Sequence, residues 1–125
     1  MIRREVMVHI RRGDEFLVLR RTDHGYWHAV AGGVEPGEDW RAAAVRELQE
    51  ETGLTAVDVH EIGAFAYEPA EFEVNGGDVR AFAAEAPPGW EPTLNDEHDV
   101  YRWCSFEEAY SLLYWPEPKE LLRKL

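Results

Sequence analysis

The chain has 125 residues, 45% of them hydrophobic and 12% aromatic, enough for one packed core and too many for global disorder. With 25 Asp and Glu against 13 Lys and Arg, its formal net charge is −12, the wrong sign for a protein that binds a nucleic-acid polymer. A single cysteine excludes an internal disulfide framework. With neither a bilayer-length apolar run nor a signal-peptide pattern, one cytoplasmic domain over residues 1–125 and no membrane partner are expected.

Glu5 to Arg12 alternates, with Val6, Val8 and Ile10 on one side, and predicts a half-buried strand. Arg12-Gly13-Asp14-Glu15 has turn chemistry, and Phe16 to Leu19 returns as the second arm of a hairpin. This opening stretch is locally basic: residues 1–21 carry +3 and the rest −15. Arg20 and Arg21 have two readings, as solvated strand ends or as guanidinium forks that reach an anionic ligand. Tyr26 to Val30 predicts a short third strand, and Ala31 to Glu38 a loop punctuated by Gly and Pro. Asp39 is placed to cap a helix from Trp40 to Thr52, Gly53 supplies the residue after it, and Leu54 folds back toward Leu48.

Beyond that helix, Ala56 to Tyr67 and Asp78 to Glu85 predict strands separated by an Asn75-Gly76-Gly77 turn. Val100 to Cys104 predicts a last strand. Ser105 and Glu108 have capping-box spacing for a helix from Phe106 to Tyr114, and Pro116 to Leu125 predicts a final helix. Trp90, Trp103, Trp115 and Cys104 are expected in the core. The chain is of the α/β class, and its strand order is not legible at this stage.

The central helix contains Arg46-Glu47-Leu48-Gln49-Glu50-Glu51. At 100° per residue the three glutamates share an arc of about 100°, while Ala44, Val45 and Leu48 lie on another arc and suit the core. Like charges at these spacings repel by roughly 0.2–0.5 kcal/mol per pair. They also sit in the last turns, where the helix dipole disfavours anions. An Arg46–Glu50 pair offsets only part of this. A solvated acidic face is one reading. The other is a functional site, where local conflicts of this kind are expected. Gly32, Gly33 and Gly37 lie just upstream, around Glu35 and Glu38, in a loop that lets backbone approach a ligand or metal. Clustered carboxylates beside such a loop suit a hard divalent cation.

Gly32, Glu38, Arg46, Glu47, Leu48, Glu50, Glu51, Gly53 and Leu54 fill every fixed position of the Nudix box. That box is a glycine, five residues, Glu, seven residues, Arg-Glu, an apolar residue, any residue, Glu-Glu, any residue, Gly and an apolar residue. On this match the chain resembles the Nudix hydrolases. The resemblance implies an α/β/α sandwich around a central mixed β-sheet. It implies hydrolysis, dependent on Mg2+ or Mn2+, of a phosphoanhydride bond in a small nucleoside-triphosphate-like substrate, giving a monophosphate and pyrophosphate. Glu47, Glu50 and Glu51 would ligate the metal, with the Gly32 carbonyl as a further ligand. Glu38, Arg46 and Gly53 would hold the loop and helix in shape. Metals neutralise phosphate oxygens and activate a water, whose proton a nearby carboxylate takes. Glu47, Glu50 and, outside the box, Glu97 are the candidates for that base. The other reading of Glu97 is an ordinary acidic turn residue, and His98 beside it reads as structural.

Hydrolysis of nucleotide sugars or dinucleoside polyphosphates is the alternative activity, and a non-catalytic nucleotide sensor a further one. The complete acidic set favours catalysis. Many Nudix enzymes are homodimers, but no residue of this sequence marks an interface. Two segments are similar to the dihydroneopterin triphosphate pyrophosphatase branch: Tyr26-Trp27-His28-Ala29-Val30-Ala31-Gly32-Gly33-Val34-Glu35 and Glu97-His98-Asp99-Val100-Tyr101-Arg102-Trp103. Ala31 stands where proline is usual in the wider family. Tyr26, Trp27, Phe65, Tyr67 and Phe82 are the aromatics placed to stack on a base or pterin. The expected substrate contacts are Arg20, Arg21, Tyr26, Trp27 and Tyr67.

Overall fold

Strand β1 (Arg3–Arg12) is the axis of the sheet because both of its faces are apolar. Val6, Val8 and Ile10 point to one side and Met7 and His9 to the other, each at most 1% exposed. The structure, a computed structural model, describes residues 2–69 and 76–125. β6 (Gly77–Glu85) lies parallel to β1 along its whole length, and β5 (Val59–Tyr67) pairs antiparallel with β6. On its other side β1 pairs with β2 (Glu15–Arg21) only beside the hairpin turn, at Arg11↔Phe16 and Arg12↔Glu15. β3 (Trp27–His28) then continues along β2, while β4 (Val30–Gly33) continues along β1. β7 (His98–Cys104) pairs antiparallel with β2. One parallel pair among antiparallel ones makes the sheet mixed.

The single strand expected over Tyr26–Val30 is therefore two. The chain pairs first with β2 and crosses at Ala29 to pair with β1, so Ala31–Gly33, expected in a loop, are strand residues. Helix α1 (Trp40–Thr52) matches its expected limits. Asp39 accepts from the Ala42 N–H at 2.7 Å, and Gly53 takes φ 79° while its N–H donates to the Gln49 carbonyl. α1 packs Ala43, Ala44 and Leu48 against Val6, Val8 and Ile10. Val45, expected in that core, is 39% exposed, because the helix turns it beyond the sheet-facing stripe.

Helices α2 (Phe106–Leu112) and α3 (Pro116–Leu121) cover the opposite face. Ala109 and Leu113 pack with Phe16 and Val18, and Leu121 packs with Met7, Val79 and Ala81. The layers are helix, sheet, helix, as the α/β/α expectation required. The Ser105–Glu108 capping box is present. α2 stops short of Tyr114 because Leu113 bridges to Trp27, whose carbonyl accepts the Tyr114 N–H. The expected final helix divides into α3 and a 3-10 turn over Leu122–Lys124. Ala56 has a left-handed φ of 58°, so β5 begins only at Val59. The Asn75 part of the expected turn lies outside the described residues. No helix among the described residues is long and apolar enough to cross a membrane.

Candidate functional site

α1 lays the Glu47 side chain across the backbone of β4. A Cβ on Gly32 would sit 2.2 Å from the Glu47 carboxyl carbon, so only glycine allows this approach. One helical turn later Glu51 is fully buried, and its Oε1 accepts from the Ala31 N–H at 3.3 Å. Glu97, on the loop that enters β7, is the third member. Its N–H donates to Asn95 Oδ1 at 3.0 Å, and its carbonyl accepts from the Thr22 N–H at 2.9 Å. One oxygen from each of Glu47, Glu51 and Glu97 lies within 4.8 Å of the others.

Burial, a hydrogen bond shared with Glu47 and the charges of Glu97 and Glu47 push the Glu51 carboxyl far above the ordinary carboxylate range. The Ala31 N–H opposes this only in small part. His98 Nδ1 is 3.7 Å from Glu51 Oε1, but burial, followed by the charge of Arg21, lowers the His98 imidazole to about 4, so it is neutral near pH 7. Glu51 Oε2 and both ring nitrogens of His98 are buried without a hydrogen-bond partner among the described residues. An orphaned buried carboxylate oxygen among other hard oxygens fits a small divalent cation, which would favour the charged form of Glu51.

Arg46 braces this set. Its guanidinium donates to both carboxylate oxygens of Glu38, at 2.8 and 2.9 Å, to the Gly33 carbonyl at 2.8 Å, to Glu47 at 2.7 Å and to Glu50 at 3.3 Å. The fork lowers the Glu38 carboxyl to about 2. Glu38 also accepts from the Glu35 N–H at 3.0 Å, closing the loop between β4 and α1. Glu50, whose side chain is 52% exposed, faces Arg46 and solvent and does not enter the three-carboxylate cluster.

Ala31, whose N–H holds Glu51, also lines a cavity of about 120 Å³ on the other face of β4. Met7, Phe65 and Val79 supply apolar surface, and Tyr26, Tyr67 and Trp115 supply aromatic surface. Tyr26 packs against Tyr114 at 5.1 Å and edge-on to Trp115 at 6.0 Å. Tyr67 lies across Gly77, where a Cβ would come within 2.5 Å of its ring, and its hydroxyl donates to Glu5. His28 also lines the cavity. Its Nδ1 is buried without a partner among the described residues, and burial, then the neighbouring His9, lowers its imidazole to about 3. Among the described lining residues the acids are Glu5, Glu68 and Glu117, and none is Arg or Lys.

The expected residues thus fall into three groups. Glu47, Glu51, Gly32, Glu38, Arg46 and Glu97 converge. Tyr26 and Tyr67 line the cavity, as does Trp115, which was expected in the core. Arg20 and Arg21 lie apart from the cavity lining. Arg20 forms a two-point pair with Asp99, both contacts at 2.9 Å, and Arg21 pairs with Asp23 at 3.0 Å and Glu97 at 3.5 Å. Trp27 packs at the edge of the α2 core, and Phe82 is buried under α1. Sequence reasoning passed over Glu5 and His28. The available signal was the run of Met7 and His9 between the core residues of β1, which marks the second face of that strand as buried too.

The family profile of the NUDIX domain matches residues 1–125. An asymmetrical bis(5'-nucleosyl)-tetraphosphatase of Caenorhabditis elegans is 32% identical over 115 residues, 88% of this chain and 81% of that protein. An octanoyltransferase of Myxococcus xanthus is 36% identical over 123 residues, 90% of this chain but 33% of that protein, so this chain spans about a third of that relative. The solved structure of the E. coli dihydroneopterin triphosphate pyrophosphohydrolase aligns with a TM-score of 0.89, covering 100% of this chain and 97% of that one at 21% identity, which shows a shared fold. Profile, relatives and the geometry of the box agree: the chain belongs to the Nudix family and is a hydrolase of phosphorus-containing anhydrides.

Proposed function

We propose that residues 1–125 act as one cytoplasmic Nudix domain that hydrolyses a phosphoanhydride bond in a nucleoside-triphosphate-like substrate, giving a monophosphate and pyrophosphate. The metal is Mg2+, with Mn2+ able to replace it. The observation that carries this reading is the adjacency of two sites on β4. Three carboxylates with oxygens within 4.8 Å lie on its α1 side, and an aromatic cavity lies at Ala31 on its other face. A ring in the cavity and a polyphosphate at the carboxylates would match such a pair of sites.

Glu47, Glu51 and Glu97, with the Gly32 carbonyl and Glu50 as further ligands, would hold the cation. When bound it supplies charge to neutralise phosphate oxygens and raises the acidity of water. The chain's own residues do the rest. The Ala31 N–H fixes Glu51, and the Arg46 fork fixes Glu47 and Glu38, so the carboxylates need little rearrangement as charge develops. Glu97 is the favoured base because it comes from a loop and lies at the cluster rather than along the helix, with Glu47 and Glu50 as the other candidates. The water oxygen bonds to phosphorus as the bond to the bridging oxygen breaks. The proton goes to the carboxylate, and pyrophosphate leaves.

Dihydroneopterin triphosphate and the nucleoside triphosphates are the first substrates to test. The match to the C. elegans tetraphosphatase favours a second reading, in which a dinucleoside polyphosphate is cleaved. A panel of these compounds and nucleotide sugars, incubated with Mg2+ in 18O-labelled water, separates them. Pyrophosphate release from a triphosphate supports the first reading. Turnover of dinucleoside polyphosphates alone supports the second, and no turnover of any member overturns both.

A further inference from the structure

We propose that Glu5 is a specificity-determining residue that reads the paired donor edge of a 2-amino-4-oxopyrimidine ring, the edge shared by guanine and pterin. The inference rests on the nucleotide reading above and names the ring that the cavity takes. At about 120 Å³ the cavity is on the scale of one that holds a single aromatic ring, here the 2-amino-4-oxopyrimidine half of the fused system. Tyr26, Tyr67, Trp115 and Phe65 offer ring faces but do not choose among heterocycles, because every base has a face to stack. Selection falls to the polar groups. No described Arg or Lys lines the cavity, so it does not suit a phosphate, and its charged groups are acceptors.

Among those acceptors Glu5 is the one tied into the sheet. It sits on β1 opposite Gly33 of β4, its side chain is 14% exposed, and it is therefore held rather than mobile. Glu5 Oε1 accepts from the Tyr67 hydroxyl and lies 3.8 Å from the exposed Arg3 guanidinium. Oε2 has no hydrogen-bond partner among the described residues. A cavity-lining carboxylate oxygen that no protein donor engages is open to a ligand that supplies the donor. A ring N–H next to an exocyclic amino group presents two parallel donors, the arrangement a carboxylate accepts best. Adenine, cytosine and uracil present an acceptor within the corresponding edge and would set oxygen against a lone pair. Hypoxanthine keeps the ring N–H but lacks the amino group, so it isolates the second contact.

The test compares GTP with ITP in the Mg2+-loaded enzyme, its Glu5→Gln variant and its Tyr67→Phe variant. Expected is a preference for GTP in kcat/KM of about tenfold or more in the unaltered enzyme. Glu5→Gln should reduce the preference to within about twofold, and Tyr67→Phe, which keeps the ring and the carboxylate, should retain it. A loss of the preference in Tyr67→Phe would assign the reading to the hydroxyl and overturn the proposal, as would equal use of GTP and ITP by the unaltered enzyme. A second arm titrates guanosine and inosine into the metal-free protein and follows the amide and indole NMR signals. Tighter binding of guanosine, lost in Glu5→Gln, supports the proposal even if neither triphosphate is turned over, an outcome that would count against the hydrolytic reading alone. Equal binding of the two nucleosides overturns it.

Discussion

Gly32 and Gly33 are neighbours on β4 and respond differently to a methyl group. A Cβ on Gly32 would meet the Glu47 carboxyl carbon at 2.2 Å, whereas one on Gly33 meets nothing within 4 Å. Gly32→Ala should displace the Glu47 carboxylate and lower kcat/KM by about 100-fold, since a shift of about 1 Å in a site group is enough for that. Gly33→Ala should stay within about threefold of the unaltered enzyme, in line with a substitution that touches nothing. Steady-state kinetics at saturating Mg2+ checks both, and equal losses in the two variants would contradict the steric account. Glu51 carries the opposite kind of strain. It is a fully buried acid beside two others, so the metal-free protein is destabilised by the group it needs for the cation. Glu51→Gln should leave the metal-free Tm unchanged or higher. It should abolish the rise in Tm on adding Mg2+ and lower turnover by about 100-fold or more. A Tm that still climbs with Mg2+ would remove Glu51 from the metal site.

The β4–loop–α1 segment behaves as one unit because Arg46 closes it. One guanidinium joins Glu38 in the loop, the Gly33 carbonyl on β4 and Glu47 on α1. A lysine ammonium carries the charge without the fork and cannot reach all three at once. Arg46→Lys should therefore raise the Mg2+ concentration needed for half-maximal activity by about tenfold, the usual effect of loosening a residue that holds metal ligands. The Mg2+ dependence of the initial rate is the measurement, and an unchanged midpoint would mean that the helix alone holds the carboxylates. This unit was legible in the sequence. Its caps, Asp39 and Gly53, and its box residues act on near neighbours, so their spacing on a helix and its loop already states their geometry. The strand before it was less legible, because where Tyr26–Gly33 changes partner depends on where β1 and β2 stop pairing.

Across the molecule, two acid responses have different origins and different pH windows. His9 is 1% exposed on β1, and its Nε2 donates to the Pro118 carbonyl at 2.9 Å, tying α3 to the sheet. Burial lowers its imidazole from 6.5 to about 4, against a smaller opposing effect of that hydrogen bond. Between those values the unfolded chain binds more protons than the folded one, so stability is full above about pH 6.5 and is lost as pH falls toward 4. The contribution of His9 is on the order of 3 kcal/mol by the linkage relation, and His28 acts in the same direction. Glu38, lowered from 4.5 to about 2, loses its contribution at lower pH, from about 4.5 toward 2. Urea unfolding should show stability declining between pH 7 and pH 4.5. His9→Gln, which keeps a donor toward Pro118, should flatten part of the slope, and an unaltered slope in that variant would exclude His9 as its source.

The sequence by itself determined the α/β class, the limits of α1, the box and the carboxylate chemistry it carries. Each of these rests on residues a few positions apart on one helix or one loop, where local geometry is fixed by the backbone. The −12 charge likewise excluded a nucleic-acid polymer without indicating where the acids gather. Only the tertiary structure decided that Glu97 joins Glu47 and Glu51 while Glu50 faces Arg46 and solvent. It alone engaged Arg20 and Arg21 with Asp99, Asp23 and Glu97, and moved Trp115 from the expected core to the cavity lining. Those outcomes depend on the pairing of β7 with β2, on β4 crossing to β1 and on α3 closing over the far face of the sheet. Such contacts join residues tens of positions apart, and no local spacing encodes which of them will meet.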